Sequence, residues 1–164
     1  MKEKIIENKT LMFLVKFTVI FSVLHFLVWT IPTEFLQNLI AGFEAGFFGL
    51  PVKENLILIG EQKILINPSC TGLVSSSIIA AIVFSLRKPE IKEKIKIFLL
   101  AGIVMFFLNL LRIYFVLWFG LSFGTEFIGL MHEISWMTTA AFIIVLWYYF
   151  TKKITKVKEF NELL

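Results

Sequence analysis

Apolar runs long enough to cross a lipid bilayer dominate this sequence. The first of them, Thr10 to Ile31, has about 22 residues and would extend roughly 33 Å as an α-helix, which is enough to cross the hydrocarbon core of a membrane. A chain with 58% hydrophobic residues and 19 phenylalanines also lies far outside the composition of soluble domains. The sequence therefore predicts an integral membrane protein whose 164 residues form one domain.

We predict an all-α membrane fold with four transmembrane helices. The spans lie at about residues 10–31, 70–86, 96–119 and 132–150. The second span is short, at about 17 residues, and rich in Gly, Ser and Ala. Because small residues let helices approach closely in lipid, this helix is expected inside the bundle.

Between the first and second spans, the pattern predicts an interfacial helix and a short hairpin. From Glu34 to Leu50, apolar residues occupy one helical face and polar residues the other, which is typical of a helix lying in the membrane surface. The polar face consists of Glu34, Gln37, Asn38 and Glu44. Two β-rich runs, Leu56 to Ile59 and Ile64 to Ile66, flank Gly60-Glu61 and predict a β-hairpin.

The distribution of Lys and Arg among the connecting segments predicts the orientation. The N-terminal segment carries three, the connector at 87–96 carries five and the C-terminal tail carries four, whereas the two other loops carry two and none. Since cytoplasmic segments are enriched in Lys and Arg, we predict that both termini are cytoplasmic. The start of the second span, the end of the third and the start of the fourth then meet at the outer face.

Cys70 is the only cysteine, and it lies at this outer face. A lone cysteine in a membrane helix is usually a small apolar filler. At the start of a helix, however, backbone N–H groups and the helix dipole favour the thiolate. A single cysteine cannot form an internal disulfide, and the absence of a Cys/His cluster in the sequence leads us to expect no metal and no cofactor.

Two further residues are predicted at the same depth. Arg112 falls in the outer third of the third span, where a charged residue either faces a site or extends its side chain to the interface. Asn109 shares its helical face and is expected to orient the guanidinium. His132 begins the fourth span, and His25 in the first span is the competing histidine.

A thiol, an imidazole and a guanidinium at one face indicate acyl transfer or peptide cleavage. Histidine can deprotonate the thiol, and a fixed cation can stabilise the oxyanion that forms when the thiolate attacks a carbonyl. The alternative is a small four-helix transporter or assembly subunit in which Arg112 binds an anionic solute. A thiol–disulfide oxidoreductase is disfavoured because no second cysteine is available.

At these residues, the sequence resembles the exosortase/archaeosortase family of membrane cysteine transpeptidases. The resemblance covers roughly residues 45–145. Its matching stretches are Gly49-Leu50-Pro51-Val52, the hairpin-like run to Ile66, Ser69-Cys70-Thr71-Gly72-Leu73, Asn109-Leu110-Leu111-Arg112-Ile113 and His132. Many members have additional spans, so this chain resembles a minimal version. Trp136 stands four residues after His132, where a glycine is frequent.

The resemblance implies roles for these residues. Cys70 would be the nucleophile, Arg112 the essential arginine and His132 the third catalytic residue. Asn109, Ser69 and Gly72 would have supporting roles. Ser69 is expected, together with Pro68, to lead into the helix and cap it, and Gly72 is expected to permit close approach of another backbone.

The resemblance also implies the partners. The substrate would be a secreted protein whose C-terminal tail has a short signature, a transmembrane helix and a basic cluster. The new C-terminus would pass to an acceptor, which is a lipid in the archaeal case, and nucleic acid is not expected as a partner. Usage rich in Lys, Ile and Phe suggests an AT-rich prokaryote, with an archaeal source preferred.

Overall fold

The computed structural model describes residues 2–155 and residue 163. The described part is mostly helical, as predicted, and contains a small antiparallel sheet. The helices are α1 (Lys2–Thr30), α2 (Glu34–Gly46), α3 (Leu73–Ser85), α4 (Ile91–Phe123) and α5 (Ile128–Thr155). The strands are β1 (Val52–Lys53), β2 (Leu56–Ile59) and β3 (Gln62–Leu65). Two 3-10 turns, Pro68–Thr71 and Thr125–Phe127, precede α3 and α5.

Three helical segments in the described residues are long and apolar enough to cross a membrane. They are Asn8–Thr30, Ile91–Phe123 and Thr125–Thr155, and they match the predicted first, third and fourth spans. The helix α3 has 13 residues and is about 20 Å long, shorter than a typical span. It packs against α1 and α4, which agrees with the expected inner position, but the predicted count of four spans is not confirmed.

The connection between α4 and α5 is tighter than predicted. The predicted spans at 96–119 and 132–150 leave a loop between them, but α4 continues to Phe123 and α5 begins at Ile128. A Cβ atom added at Gly120 would collide with Cγ1 of Ile128, so this glycine allows the start of α5 to pack directly on α4. His132 therefore lies one turn inside α5 and not at its first residue.

The predicted hairpin is confirmed and extended by one strand. Strands β2 and β3 are antiparallel, and Ile59 pairs with Gln62 across the two-residue turn Gly60-Glu61. Gly60 has φ +58°, which an L side chain rarely adopts. Strand β1 adds to the other edge, where Val52 pairs with Ile57.

The interfacial helix α2 orients its faces differently from the simple amphipathic expectation. Its exposed side chains include Phe35, Leu39 and Phe43, which suits contact with lipid. Of the predicted polar face, Gln37 and Glu44 are buried against the protein. The four residues were predicted to form the polar face of an interfacial helix; Glu34 and Asn38 are exposed, whereas Gln37 and Glu44 are not.

One of these buried polar residues fastens the hairpin to α2. The side chain of Asn55 donates to Oε1 of Gln37 at 2.8 Å and to the carbonyl oxygen of Ile66 at 3.1 Å. The amide of Gln37 donates in turn to Oγ1 of Thr33 at 2.8 Å. This chain of hydrogen bonds fixes the end of the hairpin that leads into Cys70.

Buried apolar side chains form two separate clusters. The bundle cluster lies among α3, α4 and α5 and consists of Ile79, Val83, Ile97, Ala101, Met105 and Ile143. The site cluster joins α2, the hairpin, the turn at Cys70 and the second half of α4, and consists of Ile40, Ala41, Ala45, Ile57, Ile59, Ile66, Cys70, Ile113 and Leu117. The predicted nucleophile is thus part of one of the two cores.

Candidate active site

Cys70 lies on a 3-10 turn that is capped by Asn67. Oδ1 of Asn67 accepts hydrogen bonds from the backbone N–H of Ser69 at 3.0 Å and from its hydroxyl at 2.5 Å. Pro68 occupies the first turn, where its missing N–H costs nothing. The predicted cap by Ser69 is wrong, since Ser69 donates to the residue that caps the turn.

This placement changes the physical argument for the thiol. The helix α3 begins at Leu73, after Gly72, so Cys70 is not in its first turn and the prediction based on a helix terminus is wrong. The cysteine is only 5% exposed. The charge that acts on it is the guanidinium of Arg112, which faces the thiol from α4.

Asn109 holds the cysteine turn against α4. Its buried side chain donates to the carbonyl oxygen of Cys70 at 2.5 Å. Gly72 lies beside it with φ +81°, and an added Cβ would lie 3.6 Å from Cβ of Asn109. The predicted supporting roles of Asn109 and Gly72 in function stay predictions; what requires glycine at position 72 here is its positive φ, since an added Cβ would make only ordinary contact with the Asn109 side chain. However, Asn109 orients the turn that carries Cys70 and not the guanidinium of Arg112.

Arg112 is a buried cation whose polar neighbour is the thiol of Cys70, and the contact lacks the geometry of an ordinary hydrogen bond. It is 8% exposed, and none of its three guanidinium nitrogens makes a hydrogen bond of standard geometry in the described structure. Leaving such a group unpaired is costly in a protein interior, so a functional reason is expected. The free N–H groups are available to an incoming oxyanion or another anionic group.

A cavity of about 410 Å³ between α4 and α5 reaches Arg112. Its walls are mainly apolar, with Leu108, Phe115 and Phe142 among them. Ser135 and Thr139 add hydroxyl groups on the α5 side. An apolar cavity with a buried cation in its wall can take an apolar chain that carries a polar or anionic group at Arg112.

His132 is joined to Arg112 through Trp136. The indole N–H of Trp136 donates to Nε2 of His132 at 3.0 Å. The Cζ atom of Arg112 lies 4.7 Å from the centre of the Trp136 ring, and its charge acts on the His132 imidazole. The structure therefore places Arg112 close to both Cys70 and His132.

The competing histidine belongs to another part of the fold. His25 lies on α1 between Phe21 and Trp29, with ring centres 5.4 and 6.2 Å away. The helix α1 packs mainly on α3, so His25 takes no part in the cluster around Arg112.

Two residues near the site were not singled out as functional from the sequence. Trp136 could have been found from its i+4 spacing to His132, which places the two side chains on one helical face. Glu44 is 1% exposed, neither of its oxygens is hydrogen-bonded, and burial raises its pKa to about 7. Because Glu44 falls on the polar face of an amphipathic pattern, the sequence gave no sign that its side chain is buried.

Within residues 2–155 and 163, no group of three His, Cys, Asp or Glu side chains is arranged to hold a metal ion.

Comparison with protein families gives one match over most of the chain. A family model described as transmembrane exosortase matches residues 8–149. The chain belongs to the transmembrane exosortase family. Membership in this family, together with three apolar helices, makes it a multi-pass membrane protein related to membrane transpeptidases and proteases. Comparisons with curated proteins and with solved structures each returned no match.

Proposed function

We propose that this exosortase-family protein is a membrane cysteine transpeptidase that cleaves the C-terminal sorting tails of secreted proteins at the outer face. The observation that supports it most directly is the buried, unpaired guanidinium of Arg112, which faces the thiol of Cys70 and acts on His132. The segregation of Lys and Arg supports cytoplasmic termini and an outer site. An archaeal origin of the protein stays a prediction from the sequence.

In the acylation step, Sγ of Cys70 forms a bond with the scissile carbonyl carbon of the tail. The thiol proton moves to His132, and the negative charge that develops on the carbonyl oxygen is stabilised by the N–H groups of Arg112. Collapse of the tetrahedral intermediate breaks the C–N bond. His132 returns its proton to the departing amine, and the substrate remains joined to Cys70 as a thioester.

In the second step, an acceptor with an O–H or N–H group attacks the thioester. Its proton passes to His132 as the new bond to the carbonyl carbon forms. The S–C bond then breaks and the thiolate of Cys70 recovers the proton. The cavity beside Arg112 supports a lipid as acceptor, because its apolar walls fit a hydrocarbon chain and the cation in its wall fits a polar headgroup.

The proposal is tested by expressing the chain beside a secreted reporter that carries a tripartite tail from the same source organism. We expect Cys70→Ala and Arg112→Ala to lower processing by more than about a thousandfold, and His132→Ala by about a hundredfold or more. Hydroxylamine should release a hydroxamate from the parent protein, because it captures a thioester at Cys70.

Matched controls come from the chain itself. His25→Ala and Arg87→Ala remove the other histidine and the other arginine, and both should process the reporter like the parent. Equal processing by the Cys70, Arg112 and His132 variants would contradict the transpeptidase proposal.

The unpaired guanidinium of Arg112 also favours a second candidate, a membrane subunit that binds an anionic solute. In that case Arg112→Ala would abolish function, whereas Cys70→Ser would leave it intact. The transpeptidase predicts that both substitutions abolish processing, so this pair of variants separates the two candidates.

A further inference from the structure

Trp136 contacts two of the residues that the proposed function uses. It lies one helical turn after His132 on α5, and its indole N–H donates to Nε2 of that histidine at 3.0 Å. Its ring also lies against the guanidinium of Arg112 on α4, 4.7 Å from Cζ. One side chain therefore connects residues of two helices, through two different kinds of interaction.

The hydrogen bond to His132 determines which protons the imidazole can carry. An indole N–H can only donate, so Nε2 of His132 must accept and carries no proton. The remaining proton of the neutral ring is then on Nδ1. In this arrangement the only lone pair that could take the thiol proton is occupied by the indole. His132 can act as a base only after the indole N–H has moved away.

The contact of Trp136 with Arg112 has the opposite effect, because it leaves the guanidinium N–H donors free. A guanidinium held against an aromatic face is stabilised without using its N–H donors. All three nitrogens of Arg112 lack hydrogen bonds in the described structure, although the side chain is buried. The ring therefore orients the cation and leaves its donors available for an oxyanion.

We infer that Trp136 is a positioning residue that holds Arg112 with its donors free and occupies Nε2 of His132 until the indole N–H is displaced. The charged groups that act on His132 are Arg112 from α4 and Glu133 on α5 itself. The role in catalysis rests on the proposed function, but the state of the thiol can be measured without any substrate.

The first test is the rate of Cys70 alkylation by iodoacetamide in purified protein. Trp136→Phe keeps an aromatic face and removes the N–H donor, so Nε2 becomes free to take the thiol proton. We expect alkylation at pH 6 to 7 to rise by about two- to tenfold, the range that corresponds to loss of one hydrogen bond. At pH 9, where hydroxide from solution can remove the thiol proton in place of the imidazole, the rate should change little.

Two controls separate this effect from a change in access. The increase should vanish in Trp136→Phe combined with His132→Ala, because it requires the imidazole. Trp29→Phe is the matched substitution, since Trp29 also follows a histidine by four residues and packs against it. It should leave alkylation unchanged. An equal increase at pH 6 and pH 9, or one that persists without His132, would overturn the inference.

The second test concerns Arg112 and uses reporter processing. Trp136→Phe should retain processing within about threefold of the parent, because a phenyl ring still offers a face to the cation. Trp136→Leu removes that face and should lower processing by about tenfold or more, with the folded fraction unchanged. Equal processing by the Phe and Leu variants would overturn the positioning role. If the parent chain itself does not process the reporter, the proposed function fails, and the alkylation test still decides the inference about His132.

Discussion

The site cluster and the bundle cluster differ in the polar groups beside them. The bundle cluster is formed by apolar side chains of α3, α4 and α5, all nearly or fully buried. The site cluster contains the thiol of Cys70, and on the same elements lie the buried side chains of Glu44 and Arg112. Both of these charged residues lack hydrogen bonds in the described structure.

This difference suggests that the residues that stabilise the fold and the residues that could carry out chemistry lie in different clusters. Apolar burial without polar groups stabilises a fold, whereas a buried polar group without a partner destabilises it. Native proteins retain such groups mainly at functional sites. We therefore expect substitutions in the bundle cluster away from the cavity to change stability alone, and substitutions around the site cluster to change processing out of proportion to stability.

The largest effect on stability is expected in the bundle cluster. Ile97→Ala removes a fully buried side chain on α4 and should lower the free energy of unfolding by about 2 to 5 kcal/mol. Processing of the reporter per folded molecule should not change. Thermal unfolding in detergent, followed by tryptophan fluorescence, measures the loss.

Ile95→Ala is the matched control, because Ile95 lies two residues earlier on the same helix and is 44% exposed. It should cost well under about 1 kcal/mol. Similar losses for Ile97→Ala and Ile95→Ala would show that the bundle cluster is not a distinct stabilising core.

At Glu44, substitution is expected to change stability by an intermediate amount and to increase it, unlike Ile97→Ala. Its pKa rises from the usual 4.5 to about 7, so between these values the folded state binds more protons than the unfolded state. Stability should therefore fall as the pH rises through this window and level off above it. Glu44→Gln removes the charge and should stabilise the protein by roughly 1 to 3 kcal/mol above pH 7, and much less near pH 5.

Thermal unfolding of both proteins from pH 5 to pH 8 measures this difference. Glu34→Gln is the matched substitution, because Glu34 is exposed on the same helix and its replacement should change stability by well under about 1 kcal/mol. A stabilisation by Glu44→Gln that is the same at every pH would contradict the assignment of a charged, buried carboxylate.

The smallest change in stability is expected at Gly72, with a larger change in processing. Its φ of +81° disfavours any side chain, so Gly72→Ala should cost about 1 kcal/mol. Because the substitution also disturbs the turn that Asn109 fastens, processing should fall by about tenfold.

Gly60→Ala gives the comparison, since Gly60 has a similar φ of +58° but lies at the tip of the hairpin. It should show a similar loss of stability and normal processing. Equal loss of processing in both variants would indicate that a general effect on folding, and not the cysteine turn, is responsible.

Much of the fold could be predicted because its signals are local. Long apolar runs and the hairpin around Gly60-Glu61 were sufficient to place α1, α4, α5 and the two main strands close to their observed positions. The short α3 was harder, because its apolar run includes the 3-10 turn at Cys70, which has different backbone geometry. Orientation within α2 failed because Gln37 and Glu44 are buried by contacts with distant parts of the chain.

The site shows the same limit at the level of single residues. Two histidines are each followed by a tryptophan four residues later, at 25 and 29 and at 132 and 136. Spacing predicts that each pair is in contact. Only the second pair lies against a guanidinium, and that contact comes from another helix. Sequence spacing therefore finds the pair, but tertiary packing gives it chemical meaning.

Under the proposed function, the outward apolar face of α2 has a consequence for the position of the cleaved bond. If Phe35, Leu39 and Phe43 lie in the lipid surface, α2 stays at one depth in the membrane. The hydrogen bond between Asn55 and Gln37 then also fixes the depth of the turn at Cys70. The thiol would therefore lie at a constant distance from the membrane surface. It would select a peptide bond by its distance from the membrane, and the length of chain between a substrate's own anchor and its cleavage site becomes part of what is recognised.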